Sequence, residues 1–366
     1  MALRAKYVAL DSGIKLIKSK YFLLYALAVL NLVVALYVIE ISFWSSDSET
    51  YLSAMKFLQG DRLSEIPYNR LVTAPFMLYA SIFFSFLTGS LFNGMFAVNL
   101  IFYFLIIYVF YKLVFEIYHD KTVAFLSTVL FLGNYALYNF GIAYTADMGG
   151  WFFFILSSLL ALKYYNNKNK KYYYLAIIAA GIGVLFKEYG ALGIISLAML
   201  ILISNFSSIK KFKEIIIAGL LFAVIPIFYN ILFYLKFHYS YLDWYFFNIS
   251  AHGQSYGLIL LIKVLGWVYL AGWPIFAYGL LQEKKYFNRQ RAYILAALLP
   301  ASLAFLAWPA LTQRIAFIFV PWLALISGFG LSKIKNNYLV AAILIIYIII
   351  NYSITPFLIK VINLPF

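Results

Sequence analysis

Residues 71–91 read LVTAPFMLYASIFFSFLTGSL. The stretch is apolar enough for a bilayer, yet it carries Pro75, Gly89 and five Ser or Thr. Whether it spans decides the side on which every later segment emerges. Around it lie eleven apolar stretches, at 21–43, 94–115, 122–141, 147–162, 172–186, 190–205, 214–235, 257–281, 292–308, 314–331 and 338–359. A spanning helix needs about 20 apolar residues. Lys and Arg accumulate on the cytoplasmic side. If 71–91 does not span, 20 of the 28 Lys and Arg face the cytoplasm and eight face outward. The inner set includes Lys163, Lys168, Lys170, Lys171, Lys210, Lys211, Lys213, Lys284, Lys285, Arg289 and Arg291. If it does span, the count becomes 10 inside and 18 outside. The reading is therefore an all-α polytopic membrane protein with about eleven transmembrane helices and a cytoplasmic N-terminus. Residues 71–91 form an interfacial or re-entrant helix on the outer leaflet.

Composition agrees. The 366 residues are 65% hydrophobic and 11% charged, against about 45–50% and about 25% in soluble chains. The net charge of +15 is spread thinly between apolar runs. It reads as topology signals and contacts to anionic lipid rather than nucleic-acid binding. The absence of cysteine excludes thiolate nucleophiles and Cys-ligated metals. Arg4, Lys6, Lys15, Lys18 and Lys20 precede the run 21–43, which is longer than the roughly 7–15 apolar residues of a signal peptide. The chain shows no internal repeat and no soluble domain; its longest hydrophilic stretch is 44–70. Its richness in Lys, Asn, Ile and Tyr points to a prokaryotic plasma membrane.

Seven of the 13 acidic residues fall in outer segments: Asp47, Glu49, Asp61, Glu65, Asp147, Glu188 and Asp243. Asp61 and Glu65 read as solvated. The others sit at helix ends, where charge near lipid is costly and often functional. Asp47 precedes Tyr51, Ala54, Met55 and Leu58, one apolar face at helical spacing. It serves as a helix cap, a general base, or both. Asp147, in TADMGG, is the sole charge between two spans, and the glycines after it allow a close approach. Lys187 and Glu188 interrupt an apolar region, as a neutralising pair, a snorkelling turn or a grip on an anionic headgroup. Asp243, Trp244, Tyr245 and His252 form a looser group, with Trp273 and Trp308 as belt aromatics or sugar platforms. Arg314 opens a span beside a Trp-Pro turn, where it snorkels to lipid or clamps a phosphate.

The order of these features resembles the GT-C glycosyltransferases, above all the branch of the protein O-mannosyltransferases and the lipid A aminoarabinose transferases. The likeness runs over about residues 44–200. It rests on Asp47 and Tyr51 in DSETY, the Pro-containing PYNRLVTAPF, the turn EIYHDK, Asp147 in TADMGG, and GIGVLFKEYG with Gly181, Gly183, Lys187 and Tyr189. Ser48 intervenes where the family has adjacent Asp-Glu, and the His-Pro-Pro before the juxtamembrane helix is missing; Arg70 is its substitute. The resemblance divides the chain into a GT-C-like module, 1–235, whose first outer loop is 44–93, and variable C-terminal helices, 236–366.

The resemblance implies inverting transfer of a sugar from a polyprenyl-phosphate donor to a protein, lipid or glycan at the outer face. Asp47 acts as general base. Asp147 positions the acceptor or a divalent cation such as Mg or Mn, which Asp47 would share. Arg70, Lys187, Arg314 and His252 meet the lipid phosphate. Glu49, Tyr51, Glu188, Asp243 and Trp244 stand by as secondary candidates. The alternatives are a flippase or carrier for lipid-linked sugars and a non-catalytic scaffold subunit. A carrier calls for mid-membrane charges or broken helices, and the sequence displays neither.

Overall fold

The computed structural model describes residues 20–37, 44, 47–61, 65–204, 209–252, 258–308 and 311–354, and these are mainly helical, with no strand among them. The N-terminal basic residues Arg4 to Lys18 and residues 355–359 lie outside the described residues.

Helix α1 (Lys20–Tyr37) is the first apolar helix. Helix α2 (Ser48–Leu58) buries Tyr51, Ala54 and Met55 and leaves Glu49 and Lys56 exposed, the amphipathic face anticipated above. The stretch 71–91 then breaks into two. Helix α3 (Tyr68–Thr73) stops at Ala74, because the residue before a proline is disfavoured in helical geometry. Helix α4 (Pro75–Thr88) starts on Pro75, where the missing N–H costs nothing. It ends at Gly89, whose φ of 82° a side chain would resist. Its 14 residues rise about 21 Å, less than a hydrocarbon core of about 30 Å. Helix α5 (Leu91–Tyr118) turns back along α4.

Helix α6 (Lys121–Leu132) is capped by Asp120, which accepts from Thr122 and Val123 N–H. The expected span 122–141 breaks at Gly133 and Asn134. Asn134 caps the short α7 (Tyr135–Asn139) and donates to the Val268 carbonyl, so its side chain takes over the interrupted ladder. Helix α8 (Asp147–Asn167) and helix α9 (Lys170–Phe186) form an antiparallel pair. A 3₁₀ turn (Glu188–Ala191) leads into α10 (Leu192–Ser204), so the chain does break at Lys187. Helices α11 (Ile209–Phe237) and α12 (Tyr241–His252) follow. Helix α13 (Leu258–Tyr269) and helix α14 (Gly272–Lys285) meet at 85°. This corrects the absence of broken helices expected from sequence. Pro274 cannot continue the α13 hydrogen-bond ladder, and Trp273 donates back to the Leu265 carbonyl. No charged residue sits at that bend. Helices α15 (Arg289–Ser302), α16 (Gln313–Ala316), α17 (Val320–Ser332) and α18 (Asn337–Ile349) complete the described chain.

Among the described residues, five helical segments are long and apolar enough to cross a membrane, or six with the bent pair as one span; five apolar helices are shorter. The chain is a helical integral membrane protein. The span from α16 through α17 is central, 89% buried, whereas α11 is 6% buried and turns its apolar surface outward. Helix α8, with 21 residues, separates its two ends by about 31 Å. At one end stands Asp147. At the other, Glu214 accepts from Lys170 and Tyr164, and Glu283 from Arg291 and Tyr118.

Candidate active site

Asp47 occupies the cap position of α2 but makes no capping bond with its side chain. Its carboxylate turns instead to two arginines. Arg70 Nη2 donates to Oδ1 at 2.5 Å, and Arg314 Nη1 lies 2.8 Å from Oδ2. Arg70 comes from α3, which the proline break aims across α2. Its Nε donates to Thr50 Oγ1 at 2.8 Å, Thr50 donates to the Asp47 carbonyl at 2.7 Å, and the guanidinium lies 4.7 Å from the Tyr51 ring centre. Thr50 and Tyr51, three and four residues after Asp47 on one helix, thus hold Arg70 from beneath. Burial alone pushes the Asp47 carboxyl up, but Arg70, then Arg314 and Lys187, hold it well below the usual carboxylate range.

Asp147 opens α8 and is likewise no side-chain cap. It is buried. The loop before it is clamped by Asn99 of α5, whose Nδ2 donates to the Ala143 and Thr145 carbonyls at 2.7 and 3.0 Å. Arg314 Nε lies 3.5 Å from Asp147 Oδ2, an ionic contact that lacks hydrogen-bond geometry. Arg314 reaches both aspartates because Thr312 caps α16 and sets its first turn. Asp147 Oδ1 and Oδ2, Glu188 Oε2, Trp151 Nε1 and Gln313 Nε2 have no hydrogen-bond partner among the described residues. Each buried orphan of this kind costs about 1–3 kcal/mol unless a ligand, an ion or an ordered water meets it.

Lys187 is 2% exposed and pairs with Glu188 at 3.2 Å, while its ammonium lies 5.8 Å from the Tyr189 ring. It is close enough to both aspartates to act on them electrostatically. A Cβ on Gly150 would lie 2.6 Å from the Lys187 Cβ, so the glycine after Asp147 admits α9, as anticipated for that position. Tyr189 begins an aromatic chain. Its ring centre is 6.0 Å from Trp308, which is 6.4 Å from Trp244, which is 4.9 Å from Tyr241.

Of the sequence candidates, Asp47, Tyr51, Arg70, Asp147, Lys187, Glu188 and Arg314 come together. Trp244 joins through Trp308. Glu49 does not: it is exposed, because the helical turn that buries Ser48 rotates Glu49 away. Asp243 does not either. It accepts from Ser240 N–H and Oγ at 2.7 and 2.6 Å and is spent on starting α12. The side chain of His252 lies outside the described residues. Thr50, Asn99 and Gln313 were not picked out from sequence. An asparagine inside an apolar span was the available signal for Asn99.

A divalent cation does not fit here. Both Asp47 oxygens face arginines, Arg314 stands between the two aspartates, and no three His, Asp or Glu side chains converge among the described residues.

The described fold matches the ArnT protein from Cupriavidus metallidurans bound to undecaprenyl phosphate, at a TM-score of 0.64 and 16% identity, over 86% of this chain. It also matches the oligosaccharyltransferase of Archaeoglobus fulgidus tethered to an acceptor peptide, at 0.58 and 15% over 93% of this chain. The chain has the GT-C fold. A third GT-C structure, the archaeal oligosaccharyltransferase AglB in complex with an inhibitory peptide and a dolichol-phosphate, matches at 0.54 and 14%. The family model for dolichyl-phosphate-mannose-protein mannosyltransferase matches residues 72–233, less than half of the chain. The chain spans 60% of the ArnT structure and 55% of the oligosaccharyltransferases. No curated protein matches it in sequence. The GT-C resemblance read from Asp47, Asp147 and Lys187 therefore holds at the level of fold.

Proposed function

We propose that the chain is a glycosyltransferase that moves a sugar from a polyprenyl-phosphate donor to an acceptor at the outer face of the membrane, with inversion. The observation that carries this reading is the convergence of two carboxylates with Arg70, Arg314 and Lys187 at one end of the bundle. Such transfer needs a base for the acceptor hydroxyl and cations for the departing phosphate. The similarity to proteins whose structures hold undecaprenyl phosphate, dolichol-phosphate or an acceptor peptide supports the donor and acceptor classes. The Lys and Arg bias supports the outer face.

Asp47 is the base. With both oxygens on arginines it is too well stabilised to take a proton. The donor phosphate draws Arg70 away and frees Oδ1, while Arg314 remains on Oδ2. Asp147, with an oxygen in want of a donor, positions the acceptor. Lys187 and Arg70 offset charge on the leaving phosphate. A groove of about 320 Å³, lined by Leu71, Pro75, Tyr79, Tyr229, Phe233 and Lys236, begins next to Arg70 in the chain and suits the lipid tail.

The test uses purified chain in lipid nanodiscs, a panel of radiolabelled polyprenyl-phosphate sugars, and membrane extract as acceptor. Wild type transfers label, and folded Asp47→Asn transfers about 10²–10⁴-fold more slowly. Equal transfer by both removes Asp47 as base. Transfer by neither on any donor removes the enzyme reading, and flipping of the same lipids is then measured.

A further inference from the structure

The two aspartates are bridged by a side chain. Arg314 reaches Asp47 Oδ2 through Nη1 at 2.8 Å and Asp147 Oδ2 through Nε at 3.5 Å. One guanidinium thus touches two carboxylates from separate elements: one ahead of α2, one opening α8. It comes from α16, a third element. A guanidinium keeps its charge at every pH a protein survives, and its planar fork is suited to two partners at once.

A divalent ion is the other kind of cation that can lie between two carboxylates. Such an ion wants about six or more oxygens at roughly 2.0–2.6 Å. Here it would find two carboxylates, with Arg70 already on the remaining Asp47 oxygen and Lys187 near both. Two carboxylates in one buried place repel each other unless a cation lies between them. Arg314 supplies that cation from the chain itself.

We propose that Arg314 is a built-in replacement for a divalent metal between Asp47 and Asp147, so that this place takes no divalent ion while Arg314 is present. This rests on the geometry of the carboxylates and not on the transfer reaction. A chain that transferred no sugar would still have to meet the test, and a failed test would leave the transfer reading standing. Arg314 thus serves the two carboxylates rather than the lipid phosphate expected from the sequence. It fixes the separation of the two carboxylates without a dissociable ion.

The experiment is a titration of the full chain in nanodiscs of zwitterionic lipid with divalent manganese, followed by the paramagnetic resonance signal of the free ion. Wild type is expected to bind none at this place. Arg314→Met, close in length and uncharged, is expected to gain one manganese per chain, with affinity raised about tenfold or more. That site is lost again when Asp147→Asn is added. A manganese bound by wild type and lost in Asp147→Asn overturns the proposal. So does a folded Arg314→Met that binds none, since the aspartates then form no cation position. Should Arg314→Met not fold, melting of wild type and Asp147→Asn with and without manganese decides. Equal melting in each pair supports the proposal, because a bound ion would raise it. A manganese-dependent rise in wild type alone overturns it.

Discussion

Lys187 rests against Gly150: a Cβ on that glycine would lie 2.6 Å from the Lys187 Cβ and 3.2 Å from its Cγ. The atoms in the way are the root of the lysine, not its flexible tip. Helix α9 and its following turn can therefore close on α8 only because residue 150 has no side chain. Gly150→Ala is expected to displace Lys187 from both aspartates, with a loss of about 1–3 kcal/mol from overpacking. Melting in nanodiscs measures that loss. Transfer should fall further than melting alone accounts for, with kcat more affected than donor KM.

Asn99 positions Asp147 from another helix. It donates to the Ala143 and Thr145 carbonyls and is fully buried. Asn99→Leu keeps the branched shape and strands two carbonyls, each worth about 1–3 kcal/mol. The expected result is a folded chain with faster hydrogen exchange at residues 141–147 and slower transfer. Unchanged exchange there would remove the clamp.

Asp47 links stability to pH. Its carboxyl is pushed up by burial and held lower still by Arg70 and Arg314, so its folded pKa is depressed. A depressed acid stabilises the fold above its unfolded pKa of about 4, and the stabilisation disappears as pH falls through the folded value. Melting of wild type should stay level from neutral pH to about 5 and decline below about 4. Asp47→Asn should start lower at neutral pH and lose that part of the decline.

Asp243 is the negative control. It is exposed and bonded only to Ser240 at the start of α12. Asp243→Ala should lower melting slightly, through loss of the helix start, and leave transfer at the wild-type rate. A transfer defect larger than the melting change would return Asp243 to the site.

The sequence by itself determined the solvent and the rough plan. Long apolar runs at spanning length demand lipid, and that demand is local, so it is legible residue by residue. Pro75 and Gly89 likewise mark the ends of α4 through backbone geometry alone. Asp47, Asp147, Lys187 and Arg314 could be picked out because an ionisable group next to lipid is expensive wherever it stands. What each of them does was not legible. Capping was a sound local reading for Asp47, yet its side chain caps nothing, while Asp243, read as a site candidate, is spent on a helix start. The difference lies in Arg70 and Arg314, which reach Asp47 across 23 residues of chain in one case and from the far end of the sequence in the other. The kink before Pro274 and the clamp from Asn99 are of the same kind. Ion pairs and hydrogen bonds between distant segments form only when packing brings those segments within about 3 Å, and no spacing in a linear chain encodes that distance.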